Sequence, residues 1–334
     1  MIFDLAFIWA GLIAIAILAY VILDGFDLGI GILFPLLRGE HQRDQAVNTV
    51  APVWDGNETW LILGGGGLFA VFPLAYAIIL PALYAPIIAM LIGLIFRGVA
   101  FEFRWRTVRW KPLWDASFFG GSICAALSQG IILGALIQGI NVSGRAYAGG
   151  WWDWLTPFSL MCGIALVVGY ALLGACWLIM KTDKELNSRA YNLAWVLMMA
   201  MAIVMGIVSL WTPFLDPKFM ARWFSVPSIY YVSIVPILTL ALFVGLAYNL
   251  KKRRDNLPFV LTLGLFFASY IGLGISIYPY MIPPSITIWQ AAAPDESLRF
   301  LLVGTVVLLP MIIGYTAYSY WVFWGKTRSG EGYH

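Results

Sequence analysis

AYVILDGFDLGIGIL, residues 19–33, places two carboxylates, Asp24 and Asp27, in an apolar run that belongs to a helix long enough to span a bilayer. A charged side chain near the middle of a membrane helix costs about 2.5 to 3.5 kcal/mol on insertion scales, so such residues face a bundle interior, pair with a partner or mark an ion path. Three positions apart, Asp24 and Asp27 share one helix face. Gly25 between them leaves room for a close neighbour.

The composition sets the same context. Of 334 residues, 61% are hydrophobic and only 11% charged, and the mean hydropathy is +0.85. A soluble domain has typically about 45–50% apolar and about 25% charged residues, so the chain is read as an all-α polytopic membrane protein, a single integral domain over 1–334. Nine segments approach the roughly 20 residues needed to cross a bilayer: 5–35, 51–72, 76–98, 117–138, 156–180, 190–212, 228–250, 257–278 and 300–324. If all nine cross, one side collects all but four of the 20 basic residues, the exceptions being Arg145, Lys218, Arg222 and Arg299. The positive-inside rule then predicts an outer N-terminus and a cytoplasmic C-terminus. The run Lys251 to Arg254 is part of that topology signal. Met1 to Asp4 has no basic leader, so the first segment is read as a span and not as a cleaved signal.

The second segment is predicted to begin with Asn48 or Thr49 as cap and Pro52 in the first turn. It carries Asp55 and Glu58, again three apart, at a depth similar to Asp24 and Asp27. Arg97 ends the third segment on the same side, and the short link at Phe72 to Leu74 makes segments two and three antiparallel neighbours. Four carboxylates and one guanidinium are thus expected in one polar cluster opening toward the cytoplasm, as a proton-uptake path would. A bland alternative stays open: Asp27 and Arg97 form a structural ion pair, Glu58 reaches interfacial water, and nothing is conducted.

Other features point to packing. Gly64 to Gly67 lacks the Lys-Ser/Thr of a phosphate loop and reads as close helix contact. Arg104 to Lys111, interleaved with Trp105 and Trp110, reads as a juxtamembrane anchor on lipid and not as a nucleic-acid site. Cys124, Cys162 and Cys176 lie singly in apolar segments and read as core. The apolar stretch Pro279 to Glu296 is expected to be re-entrant or to pack against a partner. His41 and His334, the only two histidines, lie outside every span. No membrane-embedded histidine is available to ligate haem, and no metal site is indicated.

The motifs Asp24-Gly25-Phe26-Asp27-Leu28-Gly29, Ala51-Pro52-Val53-Trp54-Asp55-Gly56-Asn57-Glu58-Thr59-Trp60 and Phe96-Arg97-Gly98 together resemble subunit II of the bacterial cytochrome bd quinol oxidases, in particular their shorter, cyanide-insensitive branch. Leu113-Trp114-Asp115, the Tyr278 to Ser285 stretch, Thr287-Ile288-Trp289 and the terminal Tyr315 to Trp321 extend the likeness over essentially the whole chain.

The resemblance implies nine helices in two four-helix bundles plus one peripheral helix. It implies a heterodimeric inner-membrane respiratory complex that oxidises ubiquinol, reduces oxygen to water and generates proton motive force. Two b-type haems and one haem d belong to subunit I. By position it implies a proton route through Asp55 with Asp24 and Asp27 nearby, an oxygen route past Trp60, and an association of Arg97, Asp27 and Asp115 with haem assembly. Gln290 departs from the acid of some relatives and receives no role. The sequence leaves room for a bound quinone and for a small accessory subunit. Without these motifs, nine helices with buried carboxylates would equally suit a proton-coupled secondary transporter, although its polarity should lie at paired broken helices near the midplane.

Overall fold

The computed structural model describes residues 4–327. The first helix begins at Asp4, whose carboxylate accepts from the Phe7 N–H at 3.0 Å and satisfies one orphan donor of the first turn. Helix α1 then runs Leu5–Leu33 and ends in a 3₁₀ turn, Phe34–Leu36, at Pro35. It is followed by α2 (Gly39–Asn48), α3 (Trp54–Val71), α4 (Pro73–Ala82), α5 (Tyr84–Trp105) and α6 (Lys111–Gln138). A hairpin of β1 (Val142–Ser143) and β2 (Ala146–Tyr147) leads to α7 (Pro157–Lys181) and α8 (Lys184–Trp211). Then come α9 (Pro217–Phe224), α10 (Ser228–Val232), α11 (Ile234–Lys251) and α12 (Leu257–Ile277). A second hairpin, β3 (Tyr280–Ile282) with β4 (Ile286–Thr287), precedes α13 (Ile288–Ala291) and α14 (Asp295–Val322).

Among the described residues, eight helical segments are long and apolar enough to cross a membrane, and α3 with α4 makes a ninth that is bent by 118°. Most spans fall close to their sequence expectation. The third does not. Phe72 leaves helical geometry immediately before Pro73, and Leu83 breaks the chain again between Pro81 and Pro86. The residues expected to open the third span form the separate helix α4, and the span itself is Tyr84–Trp105. The predicted cap of the second span is also displaced. Asn48 ends α2, Thr49 to Val53 form turns, α3 starts at Trp54 without a side-chain cap, and the Thr49 hydroxyl donates to the Ala46 carbonyl at 2.7 Å.

Helix α1 is the central element, packed on α3, α6, α7, α12 and α14. Helix α6 packs between α5 and α7, α8 packs on α7 and α11, α12 packs on α11 and α7, and α14 lies against α1 and α3. Two glycine pairs bring backbones together where a side chain would not fit. A Cβ on Gly174 would lie 2.6 Å from the Gly29 carbonyl carbon across α1 and α7, and one on Gly93 would lie 2.7 Å from the Gly121 oxygen across α5 and α6. Gly25 holds a similar gap, where its Cβ would sit 2.7 Å from the Tyr170 ring. In the Gly64 to Gly67 run, Gly64 and Gly67 approach Ile17 and Ile13 of α1, whereas Gly65 and Gly66 face open space.

The main core gathers at the end of the bundle that carries most basic residues, where Phe26 stacks on Trp177 at 4.0 Å and both meet Phe259 edge-on. A second core lies at the opposite end. There Trp9, Phe72 and Ile78 pack with Ile282, Ile286, Ile288 and Leu298. The Pro279 to Glu296 stretch folds as a hairpin and a capped turn of helix against α1 and α4 of its own chain, and runs into α14 at Asp295. Cys162 and Cys176 are buried, Cys124 is partly buried, and all three are free.

Candidate functional site

Four helices supply one polar cluster. Asp24 and Asp27 on α1 and Arg97 on α5 are each fully buried. Arg97 pairs through Nη1 with Asp24 and through Nη2 with Glu58 of α3, forming a bridge between two carboxylates. Its guanidinium also sits 5.9 Å above the Trp54 ring, which is itself stacked on Phe101 at 4.9 Å. Asp27 is held differently. Its Oδ2 accepts from Asn57 Nδ2 at 2.7 Å, the same amide nitrogen donates to the Leu23 carbonyl at 3.1 Å, and Asn57 Oδ1 accepts from the Tyr320 hydroxyl of α14 at 2.9 Å.

The bland reading placed Arg97 on Asp27; the structure places it on Asp24 and Glu58. Asp27 has no cation within ion-pair distance among the described residues, and its Oδ1 is buried without a hydrogen-bond partner. Three carboxylates surround one guanidinium in an apolar setting. The cluster therefore carries more acids than its one buried cation can compensate.

Asp55 stands apart. It lies exposed in the first turn of α3, and Glu58, one turn further in, is the acid that connects that surface to Arg97. Trp60 is buried among Ala16, Tyr20, Leu309 and Ile312, with its indole N–H unpartnered. On the far side of Asp24 a second polar chain begins at Tyr20, one turn earlier on α1. Gln129 of α6 donates to the Tyr20 hydroxyl at 2.8 Å and accepts from the Tyr170 hydroxyl of α7 at 2.8 Å.

Asp115 belongs to a separate network nearer the basic end. Arg104, 1% exposed, donates from Nε to Asp115 at 2.6 Å and from Nη1 to Asp44 at 2.6 Å. Arg43 reaches the second oxygen of Asp115 at 3.0 Å, and Lys111 pairs with Glu40 and lies 3.3 Å from Asp44. Arg43 and Arg104 flank the Phe34 ring. The network fastens α2 to α5 and α6. Of the stretch expected to be a juxtamembrane anchor, Arg104 is buried and Lys111 partly buried in this network, while Arg106 and Arg109 are exposed.

Sequence reasoning missed Asn57, Tyr320, Tyr20, Gln129 and Arg104. Two left a signal: Tyr20 lies four residues before Asp24, and Arg104 lies seven after Arg97, each on the same helix face as the residue it follows or precedes. Tyr320 lies 263 positions from Asn57, and no local pattern joins them.

No histidine lies in a membrane-spanning helix among the described residues. His41 is exposed on α2, outside the spans, and His334 lies outside the described residues. Among the described residues, no three His, Cys, Asp or Glu side chains are arranged to hold a metal ion.

A family model described as cytochrome bd terminal oxidase subunit II matches residues 5–323. The cytochrome bd-I ubiquinol oxidase subunit 2 of Escherichia coli K12 is 30% identical, covering 96% of this chain and 95% of that protein. The cytochrome bd ubiquinol oxidase subunit 2 of Bacillus subtilis is 28% identical, covering 95% of each. A chain in the structure of bd oxidase from Geobacillus thermodenitrificans is 18% identical and matches with a TM-score of 0.78, over 96% of this chain and 98% of that one, so the two share a fold.

Proposed function

The chain belongs to the cytochrome bd terminal oxidase subunit II family, and from that premise we propose that it is the non-haem-ligating subunit of a quinol:dioxygen oxidoreductase and that it admits protons from the cytoplasm. Membership makes it a component of an oxidoreductase complex, paired with a subunit I, and a multi-pass protein of the inner membrane. The finer division of labour is the proposal. Haem ligation falls to the partner, the basic end faces the cytoplasm, and ubiquinol and oxygen are the substrates of the complex.

One observation carries the reading: a fully buried aspartate, Asp27, lies beside an Asp24–Arg97–Glu58 bridge and has no cation at ion-pair distance among the described residues. In this scheme Asp55 collects protons at the exposed start of α3, Glu58 and Asp24 fix the charge of Arg97, and Asp27 is the group that loads and unloads. Trp60 and its apolar neighbours mark the candidate oxygen route. Arg97 and Asp115 hold the helices on which the partner's haem pocket depends. A secondary transporter fits less well. The one sharply broken span among the described residues bends at Phe72, near the end opposite the basic residues and away from the acids.

The test is the absorbance spectrum of the purified complex before and after dithionite, followed by separation of its chains. Haem bands that co-purify with this chain and leave with the partner are expected. Haem retained by the isolated chain contradicts the assignment.

A further inference from the structure

Between the first turn of α3 and the last two turns of α14 lies a cavity of about 20 Å³, room for one water molecule. Gly56, Asn57, Tyr315, Thr316, Ser319 and Tyr320 line it. Four hydroxyl side chains and an amide so close together on two otherwise apolar helices are unusual, because polar groups in a membrane-spanning helix are expensive unless they bind one another or water. Its inner wall is the Asn57 amide, which is hydrogen-bonded to Tyr320 on the cavity side and to Asp27 on the core side.

We propose that this cavity is a water site and the inlet through which protons reach Asp27, with Asn57 as its shutter. The inference rests on the proton-admitting role proposed above and specifies the route. The alternative approach, from Asp55 through Glu58, meets the Arg97 guanidinium, which bridges Glu58 to Asp24. A fixed positive charge in a narrow polar path repels protons. No hydrogen bond among the described residues links Glu58 to Asp27. Asp24 on α1, Glu58 on α3, Arg97 on α5 and Tyr320 on α14 are the ionisable groups around Asp27, and of these only Tyr320 opens toward the cavity.

The chemistry of the shutter follows from its bonds. Both N–H groups of the amide are committed, to Leu23 and Asp27, and its oxygen accepts from Tyr320. A neutral amide cannot pass a proton without becoming an imidic acid. Asn57 must therefore swing aside so that cavity water meets the carboxylate. A proton then leaves hydronium, which reverts to water, and forms the O–H bond of the Asp27 acid.

Gly56 provides a clean probe. A Cβ there would point into the cavity, with its nearest atom 4.0 Å away on the ring of Tyr315, which is exposed and free to yield. Gly56→Ala and Gly56→Val fill the water space without altering any charge and raise helix propensity. The assembled complex carrying each variant is assayed for oxygen consumption with a soluble ubiquinol in H2O and D2O, beside Asp27→Asn. Haem bands should be unchanged, turnover of Gly56→Val should drop about tenfold, and the H2O/D2O rate ratio should rise as proton delivery becomes limiting, with Gly56→Ala between. Wild-type turnover in both Gly56 variants alongside a slow Asp27→Asn overturns the inlet and leaves the role of Asp27 standing. Wild-type turnover in all three overturns both.

Discussion

Asp24 and Arg97 form an ion pair in which both side chains are excluded from solvent, joining α1 to α5. Such a pair adds little net stability compared with well-packed apolar residues, yet breaking it leaves an uncompensated charge and costs about 3–5 kcal/mol.

Arg97→Leu is expected to lower the yield of the complex and its haem content, because it strands Asp24 and Glu58 together. Arg97→Lys keeps the charge but not the two-pronged geometry that reaches both acids, and should fall between. Haem content per complex and thermal stability in detergent are the readouts. A fully assembled, haem-replete Arg97→Leu complex contradicts a structural role.

Gly29→Ala should destabilise the complex by about 1–3 kcal/mol as an overpacked core does, because its Cβ would overlap the Tyr170 carbonyl and lie 2.9 Å from the Gly174 nitrogen. Gly65→Ala, where a Cβ meets nothing, should be neutral or stabilising by up to about 1 kcal/mol through helix propensity. Equal thermal midpoints for the two variants would show that α1 and α7 do not depend on that close approach.

At the opposite end Asp4 accepts from the Phe7 N–H and from the Trp289 indole at 2.7 Å, and these bonds hold its carboxyl below the usual aspartate value of 3.8. A lowered folded-state value means that the ionised carboxylate stabilises the fold at pH above 3.8, and that this contribution fades as pH falls through the lower value. The gap in thermal midpoint between wild type and Asp4→Asn should therefore be constant near neutrality and close at acid pH. A gap independent of pH removes the charge from the account.

Much of the site was legible because charge is conspicuous in an apolar helix. Asp24, Asp27, Glu58 and Arg97 are found together for the reason that made them stand out. Asp55 shares their spacing but points outward, since one turn at the start of α3 is too little to bury it. Asn57 and Tyr320 are neutral and frequent, and only tertiary packing shows that they flank Asp27. Arg104 and Asp115 lie at the aqueous border, where charge is ordinary and does not betray burial. The α3/α4 break was misjudged because PLAYAIILPA is as apolar as a span, so hydropathy could not distinguish a short transverse helix from the start of the next crossing.

The central claim is that this chain admits protons through a buried carboxylate while its partner performs the redox chemistry. Asp27→Asn keeps shape and removes only the titratable proton. Its complex, reconstituted into vesicles and supplied with ubiquinol, should retain wild-type haem bands and generate membrane potential far more slowly than wild type. Potential generation at the wild-type rate with Asp27 replaced contradicts the claim.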